Sequence, residues 1–284
     1  MVEYLSDPID LRDAATVSVY DELPLWSAMF GQLLLRYVPL RPDLRVLDVG
    51  PGTGFPMLEL AERLGPTCEV HGIDLWRAAL MRARLKARVR GVRNVALSEG
   101  DAAALPFPDG QFDLTVSNLG INNFTDPERV LHECARVAKP DGLLAMTTNL
   151  QGHMRELYEV FEATLLDLGL PEAVAALKQH VDHRTTVTRV SDLLDRTGWR
   201  VRAIHEETFS MRFLDGSALL RHYFIRLGFL DGWKAVVPAR EQEPVFSRFE
   251  ARLNGIAETR GELALTIPMA YVEAGRDPDR AAEP

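Results

Sequence analysis

The chain has 284 residues, of which 46% are hydrophobic and 26% are charged, and its 41 acidic and 32 basic side chains give a formal net charge of -9. These values are ordinary for a globular protein and exclude an intrinsically disordered chain. The negative charge also disfavours nucleic acid as the main partner, because phosphate binding needs a basic surface.

Cysteine usage and hydropathy indicate the compartment. Cys68 and Cys134 are the only two cysteines, and neither lies in a CxxC pair, so we expect no disulfide framework and no metal site. The first residues lack the layout of a signal peptide. The most apolar stretch, residues 28–40, is interrupted by Arg36 and is too short for a membrane span. We therefore expect a cytoplasmic protein with no membrane span. Nothing in the sequence specifies its oligomeric state.

The middle of the chain alternates short apolar runs with segments of helical periodicity. The runs predict strands at residues 45–50, 68–75, 95–98, 112–117 and 143–148. The intervening segments predict helices at residues 56–64 and 76–89, and a third helix that begins at Pro127 with Asp126 as its N-cap and ends at residues 139–142. Strand, helix and strand at this spacing predict βαβ units and a parallel sheet.

The flanking segments are mostly helical, with two further strands predicted at residues 199–213 and 263–272. We therefore expect an N-terminal helical lid, a ligand-binding core interrupted by two helical insertions, a last core strand and a flexible tail. The corresponding ranges are 1–44 for the lid, 45–149 and 189–213 for the core, 150–188 and 214–262 for the insertions, 263–274 for the last strand and 275–284 for the tail.

A glycine-rich loop follows the first predicted strand. Gly50, Gly52 and Gly54 permit a sharp turn and let backbone N–H groups approach a ligand closely. The spacing is GxGxG, whereas a dinucleotide loop has GxGxxG. The third glycine of that pattern would fall at Phe55, whose side chain would obstruct a pyrophosphate. The loop therefore favours a nucleoside ligand without that group; the alternative is a tight turn with no ligand.

Two aspartates follow the next two strands. Asp74 lies twenty residues beyond Gly54 and is placed to accept hydrogen bonds from both hydroxyls of a ribose. Asp101 can accept from an adenine amino group while the backbone N–H of Ala102 donates to the ring. The alternative for each aspartate is a capping role, for the helix after Trp76 and for the loop after Asp101 respectively.

These elements resemble the class I S-adenosylmethionine-dependent methyltransferases, in particular the broad small-molecule group of the methyltransferase domain type 11 kind. The matching positions are Leu47-Asp48, the three glycines, Asp74, Gly100-Asp101-Ala102, Leu105-Pro106-Phe107, Asp109, Phe112-Asp113, Arg136-Val137 and Lys139-Pro140-Asp141-Gly142. The resemblance implies an α/β fold with a Rossmann-like seven-stranded sheet, in which the last strand is antiparallel and lies between the fifth and sixth. It implies that Asp48 and the glycine loop hold the methionine end of S-adenosylmethionine, and Asp74 the ribose. The cofactor-binding set is then Asp48, Gly50, Gly52, Gly54, Asp74, Leu75, Asp101, Ala102 and Asn118.

Four residues are candidates for orienting the methyl acceptor or for catalysing its methylation. Asn122 and Asn123 follow the fourth strand and can orient a substrate. His153 follows the fifth strand and is the best-placed general base. Tyr20 lies in Val19-Tyr20-Asp21, where the resemblance places a tyrosine over the cofactor.

These observations predict an enzyme that methylates a small, largely apolar metabolite, since aromatic residues are frequent in the segments predicted to cover the strand ends. Two alternatives stay open. One is methylation of an acyl group on a carrier protein, and the other is a non-catalytic, cofactor-binding regulatory protein.

Overall fold

The computed structural model describes residues 3–6, 9–22 and 25–277. Its strands are β1 (Arg45–Val49), β2 (Glu69–Asp74), β3 (Val95–Glu99), β4 (Phe112–Asn118), β5 (Ala138–Asn149), β6 (Trp199–Phe213) and β7 (Leu263–Arg276). They form one sheet in the order β3-β2-β1-β4-β5-β7-β6. Strands β1 to β5 pair in parallel, and β7 pairs antiparallel with β5. The sheet with an inserted antiparallel last strand, which the resemblance implied, is confirmed.

The helices are α1 (Ala14–Glu22), α2 (Leu25–Tyr37), α3 (Met57–Leu64), α4 (Arg77–Arg90), α5 (Pro127–Val137), α6 (Arg155–Asp167), α7 (Pro171–Asp182), α8 (Val187–Arg196), α9 (Gly216–Arg221), α10 (Tyr223–Ile225), α11 (Asp231–Val236) and α12 (Gln242–Arg260). A π-helical turn, Arg226–Leu230, continues α10 into α11. Across the described part of the chain, none of these helices has the length and apolarity needed to cross a bilayer.

The chain divides into two compact units. The sheet unit comprises residues Leu11–Asn149, Thr186–Glu207 and Met269–Pro284. The helical unit comprises Met1–Asp10, Leu150–Thr185 and Thr208–Pro268, so the two predicted helical insertions belong to the same unit.

The N-terminal helices pack within the sheet unit, and their predicted role as a lid stays a prediction. Helices α1 and α2 belong to the sheet unit. Helix α2 buries Phe30, Leu33 and Leu34 almost completely, and the Asn118 side chain of β4 donates from Nδ2 to the backbone oxygen of Ser27, at 3.2 Å. Burial of this apolar face makes α2 part of the core of the sheet unit.

The local signals for helices and strands are confirmed in the βαβ region. Asp126 caps α5 by accepting the backbone N–H of Arg129 at 2.9 Å, and Pro127 occupies the first turn. Val130, Leu131 and Cys134 of α5 are buried. The apolar residues of β1 are also buried, as is typical of a parallel strand covered on both faces.

Two boundaries differ from those predicted. Strand β5 begins at Ala138, because Ala138 pairs with Phe112 before the register shifts to Leu114 opposite Leu143. Residues 139–142, which were expected to end the preceding helix, therefore bulge within the strand, and α5 ends at Val137. A Cβ at Gly142 would lie 2.9 Å from the carbonyl oxygen of Lys139, so this bulge needs glycine.

The predicted tail also begins too early. Gly275 pairs with Leu143 in β7, which extends to Arg276. Asp277 is buried and accepts hydrogen bonds from Nε and Nη2 of Arg200, at 3.1 and 2.8 Å. These pairings order residues 275–277. Residues 278–284 of the predicted tail lie outside the described residues.

The helical unit has its own aromatic core. Phe161 of α6 stacks on Phe249 of α12, with ring centroids 4.7 Å apart. Trp233 of α11 is fully buried and donates its indole N–H to the Tyr158 hydroxyl at 3.2 Å. Rings of this size bury large apolar areas, which explains why these two insertions pack as one unit.

Candidate functional site

The glycine loop between β1 and α3 adopts a backbone that only glycine takes up easily. Gly50, Gly52 and Gly54 have φ values of 83°, 51° and 97°. A Cβ at Gly54 would lie 3.1 Å from Ala83, whereas a Cβ at Gly52 would meet no atom within 4 Å. The absence of a side chain at Gly54 therefore lets neighbouring side chains pack closely against the loop. At Gly52 glycine is needed for the positive φ of the turn, and the open space beside it lets a ligand approach the backbone.

Phe55 packs on helix α2. Its ring lies so close to the backbone of Gly31 that any side chain at Gly31 would collide with it. The glycine loop and α2 are therefore held together by a large apolar contact. The expectation that Phe55 excludes a pyrophosphate stays a prediction.

Asp48 has a buried carboxyl group within β1. It is 1% exposed, and neither carboxylate oxygen has a hydrogen-bond partner among the described residues. Burial, and then the negative charge of Asp74, raise the pKa of Asp48 to about 8. Because a buried carboxyl group without partners is unfavourable, a cationic ligand group would compensate it. The ammonium at the methionine end of S-adenosylmethionine fits this requirement.

Asp74 lies at the end of β2 and fixes the glycine loop. Its Oδ2 accepts the backbone N–H of Gly52 and its Oδ1 accepts that of Trp76, both at 2.8 Å. The bond to Trp76 lies before α4, whose N-cap residue is Trp76 and has no side-chain capping bond, so Asp74 does not cap this helix. A carboxylate has about four lone-pair sites, so each oxygen can still accept a ribose hydroxyl.

The neighbour of Asp74 presents an apolar surface to solvent. Leu75 is 67% exposed. Strands β2 and β3 pair with Asp74 opposite Glu99, which places Leu75 beside the start of the loop that contains Asp101. An exposed leucine at this position is a suitable apolar surface for one face of a purine ring, and the cofactor contact of Leu75 stays a prediction.

The loop after β3 forms a short 3-10 turn, Ala102–Ala104. The Oδ1 of Asp101 accepts the backbone N–H of Ala103 at 2.9 Å, so Asp101 has the capping role. Ala102 is buried. Contacts of Asp101 and Ala102 with adenine stay a prediction.

Helix α1 places Tyr20 beside Trp76. The Tyr20 ring contacts Trp76 edge to face, with centroids 5.0 Å apart. Burial, and then the charges of Asp74 and Asp21, raise the pKa of Tyr20. Asp21 anchors α1 to α4 by accepting hydrogen bonds from Arg82 at 2.9 Å and Lys86 at 2.6 Å.

Sequence reasoning missed this anchor. The signal was present as an aspartate next to Tyr20 and two cations four residues apart on one helix. Only the fold shows that they meet.

Polar residues after β4 and at the end of β5 form a compact cluster. The Nδ2 of Asn122 donates to Oδ1 of Asn149 at 2.6 Å, and its Oδ1 accepts the hydroxyl of Thr148 at 2.9 Å. Asn149 is 2% exposed, and sequence reasoning missed both it and Thr148. Asn123 makes a longer bond to the carbonyl oxygen of Leu119, at 3.3 Å.

Asn118 links three elements. Besides its bond to Ser27 in α2, it accepts the hydroxyl of Thr147 in β5 at 2.7 Å. Leu119, next in the chain, has a φ of 66°, a conformation that is strained for leucine. The chain therefore turns sharply at the end of β4, where the candidate acceptor residues begin. A contact of Asn118 with the cofactor stays a prediction.

His153 belongs to the helical unit, whereas the other candidate residues belong to the sheet unit. It is 1% exposed, and its ring stacks on Phe229 with centroids 5.5 Å apart. Burial, and then the positive charges of Arg184 and His180, lower the pKa of His153 to about 3. A base works best with a pKa near the operating pH, so this imidazole is a weak base in the protein as described. Its catalytic role stays a prediction.

The sheet order, the glycine loop and the uncompensated carboxyl group together define a class I S-adenosylmethionine-dependent methyltransferase fold. The profile of a methyltransferase domain matches residues 40–198, which is more than half of the chain. The chain belongs to this family of S-adenosylmethionine-dependent methyltransferases, so S-adenosylmethionine is its cofactor.

Individual relatives agree with this assignment. Nocamycin O-methyltransferase of Saccharothrix syringae is 30% identical over 249 residues, which cover 84% of this chain and 88% of the relative. Demethylmenaquinone methyltransferase of Geobacillus kaustophilus is 35% identical over 138 residues, which cover 48% of this chain and 59% of the relative. A crystal structure of a methyltransferase from Aquifex aeolicus shares the fold, with a TM-score of 0.53 and 23% identity over 68% of this chain and 91% of that chain.

Proposed function

We propose that this protein transfers a methyl group from S-adenosylmethionine to an oxygen atom of a small, largely apolar metabolite in the cytoplasm. The observation that carries the acceptor class is the extent of the similarity to nocamycin O-methyltransferase. That similarity covers 84% of the chain, which is more than the sheet unit contains. Similarity to demethylmenaquinone methyltransferase covers only 48%.

The sheet unit supplies the cofactor contacts in this proposal. Asp48 compensates the ammonium of the methionine end, Asp74 accepts from the ribose hydroxyls, and Leu75 supports the purine. When bound, S-adenosylmethionine supplies a methyl group on a positively charged sulfur. The glycine loop offers backbone N–H groups for the carboxylate of the same ligand.

The asparagine cluster orients the acceptor. The amide and hydroxyl groups of Asn122, Asn149 and Thr148 hold one another, so their positions are fixed before a substrate arrives. Preorganised positioning of the attacking oxygen in line with the transferable methyl group supplies most of the rate enhancement. The oxygen–methyl bond forms as the methyl–sulfur bond breaks, and the acceptor's hydroxyl proton passes to water or to a neutral imidazole such as that of His153.

The apolar character proposed for the acceptor rests on the aromatic composition of the helical unit, in which His153, Tyr158, Phe229 and Trp233 contact one another. Apolar and aromatic linings with a few fixed polar groups are typical of sites for small organic ligands.

Turnover assays test the proposal. The full chain is incubated with S-adenosylmethionine and a panel of hydroxylated apolar metabolites, such as phenols, quinols and enols, in parallel with DNA, RNA and an acyl carrier protein. Mass spectrometry then detects the demethylated cofactor and the methylated product. We expect products only from the small-molecule panel, and none from an Asp74→Ala control.

Three results would contradict the proposal. Methylation of nucleic acid or of a carrier-bound acyl group would show that the acceptor is not a small, apolar metabolite. Calorimetric binding of S-adenosylmethionine without turnover across the panel would instead indicate a non-catalytic protein. Absence of cofactor binding would refute the cofactor site itself.

A further inference from the structure

Helix α4 has two apolar faces, and the described part of the chain covers only one of them. Ala79, Leu80, Ala83 and Ala87 are buried within the sheet unit. Met81, Leu85 and Val89 recur every four residues and therefore lie in one stripe on the outer face. They are 61%, 41% and 77% exposed. We call these three residues the α4 stripe. An exposed apolar stripe on a single helix indicates a binding surface.

Cations flank the α4 stripe on both sides. The helix contains six basic residues and no acidic residue: Arg77, Arg82, Arg84, Lys86, Arg88 and Arg90. At 100° per residue, Arg77, Arg84 and Arg88 lie along one edge of the stripe, and Arg82 and Lys86 lie along the other. The chain as a whole has a net charge of -9, so this positive surface is local.

Neighbouring carboxylates neutralise only part of this charge. Arg82 and Lys86 share Asp21, Arg77 lies 3.8 Å from Glu99, and Arg90 pairs with Glu59 and Glu62. Arg84 donates to the backbone oxygen of Leu97. Among the described residues, no carboxylate lies within 4 Å of the guanidinium groups of Arg84 and Arg88. Six cations face four carboxylates, and a positive excess adjoins the stripe.

We propose that the outer face of α4 docks on an anionic phospholipid surface. The three apolar side chains enter the boundary between headgroups and acyl chains, and Arg84 and Arg88 bind lipid phosphates. Helices that lie in a membrane interface have this arrangement, in which an apolar stripe is bordered by cations. The inference goes beyond the proposed function and does not depend on it, because the stripe lies outside the cofactor and acceptor residues.

Charge and shape favour a lipid surface over other occupants. A second copy docking through the same face would bring the arginines of both copies together, and like charges oppose such a contact. Nucleic acid would satisfy the arginines but would leave Met81, Leu85 and Val89 against phosphates or water. A bilayer offers anionic headgroups beside an apolar interior, and so matches both components of the surface.

Vesicle co-sedimentation of the full chain tests the proposal. Vesicles of phosphatidylcholine alone are compared with vesicles that also contain phosphatidylserine. We expect binding at least about tenfold tighter to the anionic vesicles, with an affinity that falls as salt is added. The variant Met81→Ser/Leu85→Ser/Val89→Ser should lose this binding, and Arg84→Gln/Arg88→Gln should weaken it by roughly fivefold per arginine.

A matched control replaces two exposed leucines in the helical unit, Leu166→Ser/Leu214→Ser, which are 58% and 75% exposed. This control should bind vesicles as the unchanged protein does. Calorimetric titration with S-adenosylmethionine shows that every variant is folded. Failure to bind anionic vesicles, or equal losses in the stripe and control variants, would overturn the proposal. Stripe-dependent binding to an acidic carrier protein, or stripe-dependent dimerisation, with no vesicle binding would also overturn it in favour of a protein partner.

Discussion

Replacement of Asp48 by asparagine should stabilise the ligand-free protein and weaken its affinity for the cofactor. The pKa of Asp48 rises from an ordinary 3.8 to about 8 on folding, chiefly through burial. Since the folded protein holds the proton more tightly than the unfolded chain, this residue makes stability fall as pH rises from about 4 to about 8, and has no further effect above pH 8. At about 1.4 kcal/mol per pH unit, Asp48 destabilises the ligand-free protein by about 4 kcal/mol at pH 7.

Asparagine cannot ionise, so Asp48→Asn removes the destabilisation that the raised pKa of Asp48 causes. The buried amide of the variant finds no partner and costs about 1–3 kcal/mol, which leaves a net stabilisation of about 1–3 kcal/mol at pH 7. Thermal unfolding of the ligand-free protein, followed by circular dichroism at pH 6 and pH 8, measures the effect. We expect a midpoint a few degrees higher than that of the unchanged protein, with the larger difference at pH 8.

Cofactor affinity should change in the opposite direction. A hydrogen bond to a charged partner contributes about 1.5–3 kcal/mol, so the variant should bind S-adenosylmethionine and its demethylated product roughly 10- to 150-fold more weakly. Titration calorimetry measures both. The control is Asp141→Asn, which removes an exposed carboxylate from the same unit. If Asp48→Asn unfolds no later than the unchanged protein at pH 8, or if it keeps full cofactor affinity, the reasoning about this buried charge is wrong.

Three further substitutions examine the remaining contacts. Asp74→Ala should weaken S-adenosylmethionine binding by a few kcal/mol, because a charged acceptor for two hydroxyls and two loop N–H groups is lost; unchanged affinity in calorimetry would remove Asp74 from the site. His153→Ala should lower turnover on the order of a hundredfold if His153 is the base, whereas full turnover with the true acceptor would exclude that role. With a pKa of about 3, His153 is neutral throughout the neutral range, so the pH–rate profile should show no inflection near 6.5 from this residue. Asn122→Ala should raise KM for the acceptor and leave cofactor affinity nearly intact, and a selective loss of cofactor binding would contradict the orienting role.

The sequence by itself determined the elements whose signals are local. Alternating apolar runs and helical periodicity predicted the strands and helices between residues 45 and 149, since side-chain spacing in a strand or helix depends only on near neighbours. The cap at Asp126 and the turn at the three glycines are equally local. The resemblance then supplied the order of the sheet, in which β7 lies between β5 and β6.

Only the tertiary structure decided which polar side chains have hydrogen-bond partners and which do not. Asp21 meets Arg82 and Lys86 from more than sixty residues away, and Asn122 meets Asn149 from the next strand. Periodicity cannot specify such pairs, because they depend on how whole elements pack. The same holds for burial: Leu80 and Leu85 are alike in sequence, yet one lies in the core and the other is exposed on the α4 stripe. The unpartnered state of Asp48 arises in the same way, since the strands and helices that surround β1 exclude water from its carboxyl group without supplying a donor.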